Sequence, residues 1–189
     1  MAFLQSLVIS EIVPYDGRQL SSLWAYRTWG VRGDSIVGFR GPCDIDFADM
    51  IDMEDVLSQS AIYSPDMLHF IVEHFDHDLE KGVLRQRLLI TIIRETLESR
   101  GIRPSRRGDD LYIDDGKLSI SIATVTPVST MVHAGLNISR ENVPVKASCL
   151  LEAGLAENQI LQLAEEICRS YAGEIEGIFL ARCKVRGGR

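Results

Sequence analysis

The sequence predicts an α+β protein, in which a mixed or antiparallel sheet carries helices on one of its faces. The chain has 189 residues, 46% of them apolar, and no stretch rich in proline, glycine and serine divides it. This length and composition suffice for one hydrophobic core, so we expect a single domain over residues 1–189. Strand-like and helix-like periodicities follow one another in the order strand, helix, strand, loop, strand, long helix, hairpin, strand, helix.

The amino-terminal part supplies two strands with a short helix between them. Residues 4–13 predict a strand, and residues 15–17 predict a turn into an amphipathic helix that ends at Gly30. Residues 33–39 predict a short buried strand. This strand runs into a chain reversal over residues 40–42.

Residues 67–75 fit two periodicities. A helix would align His69, Glu73 and His77 on one face, a spacing that could bind zinc. A strand would place His69 and Glu73 on one face of the sheet. The β-branched and aromatic content and the preceding turn favour the strand, with His69 and Glu73 as a buried hydrogen-bonded pair, so we predict no metal site.

A hairpin and a third strand form the centre of the pattern. Residues 110–113 begin a strand, residues 114–116 form a tight turn, and residues 117–125 return alongside it. Lys117 is the first residue of the return strand, where alternation can direct its side chain to one face of the sheet. Residues 130–138 form the next strand. On the pattern alone, a surface hairpin with a solvated Lys117 is the favoured interpretation.

Helices flank this centre. Residues 84–99 predict the longest helix, which a glycine and a proline stop. Residues 147–154 resemble a short helix with a glycine stop, and a further amphipathic helix runs through residues 156–172. Residues 178–185 predict either a last strand or the end of that helix.

Charge and composition restrict the function. The net charge of −7 argues against a nucleic-acid or membrane-surface binder, because both need a cationic surface. A cluster of acidic residues predicts a solvated, partly helical loop and lacks the arrangement of a calcium loop. It comprises Asp44, Asp46, Asp49, Asp52, Glu54 and Asp55.

The sequence also restricts location and cysteine chemistry. The first residues lack a basic leader, and no window approaches the roughly 18 apolar residues of a membrane span, so we expect a cytoplasmic protein. Cys43, Cys149, Cys168 and Cys183 form no CxxC pair. They therefore indicate neither a zinc knuckle nor a disulfide framework.

Three short motifs resemble the central motif series of biotin and lipoate protein ligases. They are residues 109–113 (DDLYI), 115–119 (DGKLS) and 134–138 (AGLNI). The chain as a whole is identified as a member of an uncharacterised family of short proteins, domain of unknown function 366. The resemblance implies a catalytic domain related to class II aminoacyl-tRNA synthetases, without the carboxy-terminal barrel domain of the biotin ligases.

The resemblance also implies a site. Lys117 matches the ligase lysine that holds the acyl carbonyl and the activated phosphate, and Arg40 and Gly41 remain from the loop that wraps the phosphates. Isoleucine replaces the glycine of the hairpin motif, and acidic residues stand where the ligases place positive charge. We expect the open sheet face to form the pocket, with candidate substrate-binding residues on it. These are His69, Glu73, Asp110, Gly135 and Asn137, in addition to Arg40 and Gly41.

Three functions remain open. An ATP-dependent ligase would use ATP and magnesium to activate a carboxylic acid. An acyl transferase would use Lys117, His133 and Cys149, although the apolar surroundings of Cys149 also suit a buried structural thiol. A non-catalytic binding or regulatory domain would keep only the pocket. We predict a small-molecule carboxylic acid or acyl-group site, with an acceptor protein as a further partner and the oligomeric state undetermined.

Overall fold

The computed structural model describes residues 4–59, 62–141, 143 and 146–187. Its strands are β1 (Gln5–Ile12), β2 (Ser35–Ile45), β3 (Ile62–His74), β4 (Ser105–Arg107), β5 (Asp110–Ile113), β6 (Gly116–Lys117), β7 (Ser119–Val125) and β8 (Thr130–Asn137). Its helices are α1 (Trp24–Trp29), α2 (Met53–Ser58), α3 (Leu79–Ser99) and α4 (Ile160–Cys183). Short 3-10 turns occupy Phe47–Asp49 and Glu157–Gln159.

The main sheet has five strands in the order β1, β2, β3, β8, β7. β1 runs parallel to β2, and every other neighbouring pair is antiparallel, so the sheet is mixed as predicted. Residues 67–75 contribute to β3, which confirms the strand interpretation for that segment. β3 lies at the centre of the sheet, with β2 on one side and β8 on the other.

One face of this sheet packs against α3 and α4. Alternation along β3 directs Leu68, Phe70 and Val72 into a core that also contains Leu89 and Ile93 of α3. All five side chains are fully buried. The Asp78 carboxylate accepts a hydrogen bond from the Lys81 amide and so caps the start of α3.

The segment between β1 and β2 covers part of the opposite face, so this face is only partly open. Tyr15 and Trp24 of this segment pack with Val37, Ile71 and Met131 of the sheet into a second hydrophobic cluster. A glycine permits the close approach of the covering chain to β2. A Cβ atom on Gly41 would lie 2.0 Å from the carbonyl oxygen of Val13.

A buried carboxylate fixes the same covering segment farther along the sheet. Glu73 accepts a hydrogen bond from the Leu23 amide at 2.8 Å, and Leu23 has a left-handed φ of 62°. The Ser129 hydroxyl donates to the same Glu73 oxygen at 2.7 Å. Glu73 therefore joins the covering segment to the sheet and does not pair with His69, contrary to the sequence-based expectation.

The predicted hairpin is present, but its return strand divides between two sheets. Tyr112 of β5 pairs with Lys117 of β6, and these strands form a separate three-stranded sheet with β4. The chain then crosses at the buried Leu118 and enters the main sheet as β7. The sequence pattern did not reveal this crossing, because the β-branched run continues through it without interruption.

The structure corrects one carboxy-terminal prediction and decides between the two alternatives of another. Residues 147–154 form turns and an isolated bridge, and the predicted short helix is absent from this described segment. Of the two alternatives for residues 178–185, the helix is correct, since α4 continues to Cys183. Beyond Tyr171, the side chains of α4 are exposed or partly exposed, so this part of the helix extends past the core.

Candidate functional site

A small, partly open cleft with a cavity volume of about 50 Å³ lies on the face of the main sheet that α3 and α4 do not cover. The sheet provides one wall, and the acidic segment between β2 and β3 provides the other. Apolar side chains form most of the lining. They are Leu20, Ile45, Met50, Ile51, Ile62, Ile120 and Ile122.

The floor of the cleft consists of stacked rings. Tyr15 lies on His133 with 3.8 Å between the ring centroids and 15° between the ring planes. His69 and Phe39 continue the stack deeper in the protein. Tyr15 and His133 line the cleft although each is only 2% exposed.

The hydrogen bonds of the two histidines fix their protonation. His69 Nε2 lies 3.1 Å from the carbonyl oxygen of Gly41, which can only accept, so Nε2 carries the proton. Burial lowers the pKa of His69 to about 3, and burial together with the neighbouring His69 lowers the pKa of His133 well below its usual value. Both rings are therefore neutral at neutral pH.

One consequence concerns the atom that faces the cleft. Since His69 Nε2 carries the only proton of that ring, His69 Nδ1 must accept from His133 Nε2, 3.1 Å away. A neutral His133 that is protonated at Nε2 has a lone pair at Nδ1. Within the described residues Nδ1 of His133 has no hydrogen-bond partner, and neither has the hydroxyl of Tyr15. The floor therefore offers hydrogen-bonding atoms to whatever enters the cleft.

Carboxylates form the rim. Asp49, Asp52 and Asp55 line the cleft. Asp49 lies 3.7 Å from the exposed guanidinium of Arg18, and Asp52 caps α2 by accepting from the Glu54 amide. Burial, followed by the charge of Asp52, raises the pKa of Asp55 above its usual value. The segment was expected to be solvated, but part of it closes a pocket.

Lys117 lies beside this rim. Its amine is 2.9 Å from the carboxylate of Asp110, and the lysine side chain is 36% exposed. Burial alone would lower the pKa of Lys117, but the hydrogen bond and the charge of Asp110 raise it, and Asp55 adds to this effect. Lys117 is therefore a cation at neutral pH, close enough to Asp55 of the rim for the two charges to interact.

The expected contacts of the Lys117 amine with pocket residues on the sheet are absent from the described part of the chain. His69 bonds to His133 and Gly41 instead, and Glu73 holds the covering segment. Asn137 contacts only the backbone of Lys117, through a hydrogen bond of 3.3 Å to its carbonyl oxygen. Lys117 is displaced because it belongs to the small sheet and not to the main one.

The remaining substrate-binding candidates hold the fold together in this structure. Arg40 makes a two-pronged ion pair with Asp66 and a second ion pair with Glu157, and these partners raise its pKa. Gly135 faces Met67, whose side chain leaves no room for a Cβ there. The binding roles of Arg40, Gly41 and Gly135 stay predictions.

Cys149 lies apart from the histidine stack. It is 2% exposed and borders a different surface cavity beneath the hairpin, together with Gly116, Ser148 and Ala153. The rings that stack on His133 are those of Tyr15 and His69. The structure therefore places the candidate base and the candidate nucleophile in different surroundings.

Sequence reasoning missed two contributors to the cleft. Tyr15 was interpreted only as a turn residue, and the carboxylates of Asp52 and Asp55 only as solvated charges. A usable signal was present in α2, where Asp52 and Asp55 are three residues apart and so lie on one face of a helix. The apolar residues beside them, Ile51 and Val56, also suggest a segment that packs against something.

The family can be assigned from the sequence match over almost the whole chain. The pattern described as Domain of unknown function (DUF366) matches residues 4–186. The chain belongs to the DUF366 family. An uncharacterised protein of Methanocaldococcus jannaschii is 37% identical over 182 residues, which cover 93% of this chain and 81% of that protein.

Solved structures support the family and show the fold. A protein of unknown function from Pyrococcus horikoshi is 40% identical and superimposes with a TM-score of 0.92, covering 98% of this chain and 100% of that one. Biotin protein ligase from Aquifex aeolicus, in complex with biotin and ATP, gives 0.54 at 16% identity, with 90% of this chain and 71% of the ligase covered.

A third structure has a similar size. A putative lipoate protein ligase from T. acidophilum with bound lipoic acid gives a TM-score of 0.59 at 11% identity, covering 90% of this chain and 94% of that one. The DUF366 chain thus has the α+β fold of the biotin and lipoate protein ligases, as its motifs predicted.

Among the described helices, none is long and apolar enough to span a membrane.

Proposed function

We propose that this protein binds a small carboxylic acid or its acyl derivative in the cleft, with the apolar part of the ligand against the isoleucines and the carboxyl or acyl carbonyl near Lys117. The observation that carries the proposal is a partly buried lysine cation, paired with Asp110, whose charge acts on Asp55 at the rim of a mostly apolar cleft. Ligand sites of this kind combine an apolar lining with a few polar groups that fix orientation.

The chemistry of Lys117 suits this role. A cation held in a partly dry site stabilises the negative charge that develops on a carbonyl oxygen during acyl transfer, an effect worth a few kcal/mol. Asp110 keeps the amine protonated and in position, since the ion pair is 2.9 Å long. The arrangement therefore supports ligation or transfer of an acyl group to an acceptor, which could be a protein.

The residues present do not fit a nucleotide phosphate at Arg40 and Gly41, which lie within β2. Arg40 already engages the carboxylates of Asp66 and Glu157, so its charge is compensated. Acidic residues follow it, and these would repel phosphates. This observation favours a second candidate function, a binding or regulatory domain that recognises the acid or acyl group without activating it.

The binding proposal is tested by isothermal titration with hexanoate, octanoate, lipoate and biotin against the wild-type protein and Lys117→Met. We expect at least one acid to bind and Lys117→Met to weaken it by about tenfold or more, which corresponds to about 1.4 kcal/mol. Lys146→Met is a matched control, because Lys146 pairs with Asp115 in the same hairpin but both side chains are largely exposed. If all three proteins bound the acid with equal affinity, Lys117 would not be part of the binding site.

An experiment with ATP distinguishes the two candidate functions. If an adenylate forms, ATP with magnesium should raise the melting temperature, and exchange of labelled pyrophosphate should require the acid. We expect neither effect, because the carboxylates of Asp66 and Glu157 already compensate the charge of Arg40. A positive exchange reaction would establish the ligase and contradict our account of Arg40.

A further inference from the structure

We propose that the ligand of this cleft carries a protonated amine in addition to its carboxyl or acyl group, so that the substrate class is an amino acid with an apolar body, or its acyl derivative. This inference rests on the proposed function, because it assumes that Lys117 receives the carboxyl end. It adds that the floor and rim of the same cleft receive a hydrogen-bond donor with positive charge.

The floor supplies the first observation. His133 is only 2% exposed and lines the cleft. Its Nδ1 has no hydrogen-bond partner within the described residues. The chain of hydrogen bonds from Gly41 through His69 requires that Nδ1 carries a lone pair and no proton. A donor that enters the cleft can hydrogen-bond to this lone pair.

The hydroxyl of Tyr15 lies in the same floor. It too lacks a hydrogen-bond partner within the described residues, and the Tyr15 ring stacks on His133. A hydroxyl can accept as well as donate. The two rings thus present one obligatory acceptor and one optional acceptor side by side, which suits an ammonium group better than a carboxylate.

The rim supplies the second observation. Asp52 and Asp55 line the cleft from α2, and the nearby cation, Lys117, is already paired with Asp110. Burial raises the pKa of Asp55, and the neighbouring charge of Asp52 raises it further. A positive charge in the cleft would relieve the repulsion between these carboxylates, whereas a ligand with only a carboxylate would increase it.

The arrangement favours an organic cation over a metal ion. Among the described residues, no three carboxylate, histidine or cysteine side chains converge as metal ligands do.

The test compares matched probes by isothermal titration: hexanoate, hexylamine, 2-aminohexanoate and 6-aminohexanoate. We expect one of the two amino acids to bind about tenfold or more tightly than hexanoate, a difference of about 1.4 kcal/mol. Hexanoate that binds as tightly as both amino acids would overturn this inference and leave the proposed function in place. Hexylamine that binds as tightly as the better amino acid would support the amine site and overturn the carboxyl site.

Substitutions at the rim test whether its carboxylates cause the tighter binding of the amino acid. The double variant Asp52→Asn, Asp55→Asn should reduce the advantage of the amino acid over hexanoate to about threefold or less. Asparagine at position 52 keeps the cap of α2, so the helix should remain. Glu54→Gln removes a charge from the same helix at an exposed position outside the cleft, and it should leave the advantage unchanged. An unchanged advantage in the double variant would overturn the assignment.

A spectroscopic measurement reports on His133 without any substitution. Nitrogen NMR of the free protein should show His133 and His69 as neutral rings protonated at Nε2. Addition of the better amino acid should shift the Nδ1 resonance of His133 towards that of a hydrogen-bonded acceptor and leave Nδ1 of His69 unchanged. A His133 resonance that does not move in the saturated complex would exclude contact between the amine and the floor.

Discussion

The two faces of the main sheet bury their side chains in different ways. The face under α3 and α4 is closed by two long helices and is mostly apolar, with Leu68, Phe70 and Val72 of β3 fully buried. At the end of β3 on this face, the buried His74 bonds to the Tyr171 hydroxyl of α4. The face under the segment between β1 and β2 contains His69 and Glu73 from the same strand. One strand therefore serves a hydrophobic core on one side and a polar, partly open site on the other.

The difference shows where function can reside in a small domain. Helices bury side chains without leaving polar atoms unpaired, because their backbone bonds are internal. The irregular covering segment instead needs partners from the sheet, and Glu73 supplies one for Leu23. The same irregularity leaves space for the cleft. We expect substitutions on the helical face to change stability alone and substitutions on the other face to change binding as well.

The largest expected effect is on the helical face. Leu89→Ala removes a fully buried side chain from the core between α3 and the sheet, and should lower the free energy of unfolding by about 2–5 kcal/mol. Urea unfolding monitored by circular dichroism measures the loss. Leu84→Ala on the same helix is the control, since Leu84 is 62% exposed and should change stability by less than about 0.5 kcal/mol.

A pH titration tests the neutral histidines of the other face. The pKa of His69 falls from its usual 6.5 to about 3 in the folded protein, so between these values the unfolded chain binds more protons than the folded one. Stability should therefore decrease as the pH falls below 6.5, by on the order of 1 kcal/mol per pH unit for each of His69 and His133.

Urea unfolding at a series of pH values between about 5 and about 7.5 measures this slope, above the range in which carboxylates titrate. His77→Gln is the control, because His77 is exposed and bonds only to the carbonyl of Pro127 in the described structure. A flat stability profile across this interval would mean that the stacked rings take up protons as freely as solvated ones.

Glu73→Ala should detach the covering segment at moderate cost. The change leaves the Leu23 amide and the Ser129 hydroxyl without their acceptor, and we expect a loss of about 1–3 kcal/mol. Both tryptophans of the chain lie in this segment. Quenching of tryptophan fluorescence by acrylamide should therefore increase below the unfolding transition, while Glu95→Ala on the exposed side of α3 should not change it.

The smallest effect on stability is expected at the edge of the cleft. Lys117→Met breaks a partly exposed ion pair with Asp110, and such pairs contribute about 0–1 kcal/mol. The melting temperature should change little, in contrast to the binding loss proposed above. A large fall in melting temperature would show that Lys117 supports the hairpin and would weaken its assignment to the ligand.

The sequence alone determined the fold class and the principal elements. Helical spacing from residue 84 onward predicted α3, and β-branched alternation predicted β3 and β8, because both patterns reflect which side chains a regular element buries. The three ligase-like motifs predicted the family and the fold. They also singled out Lys117, whose role in binding stays a prediction.

Only the tertiary structure decided the composition of the site. The crossing at Leu118 moved Lys117 off the main sheet and beside Asp110, and nothing in the local pattern marks where a continuous strand changes its partner. The pairing of His69 with His133 joins residues 64 positions apart, and Tyr15 reaches them from a loop. Contacts between residues distant in sequence depend on how the elements pack, and the periodicity of a single sequence does not contain that information.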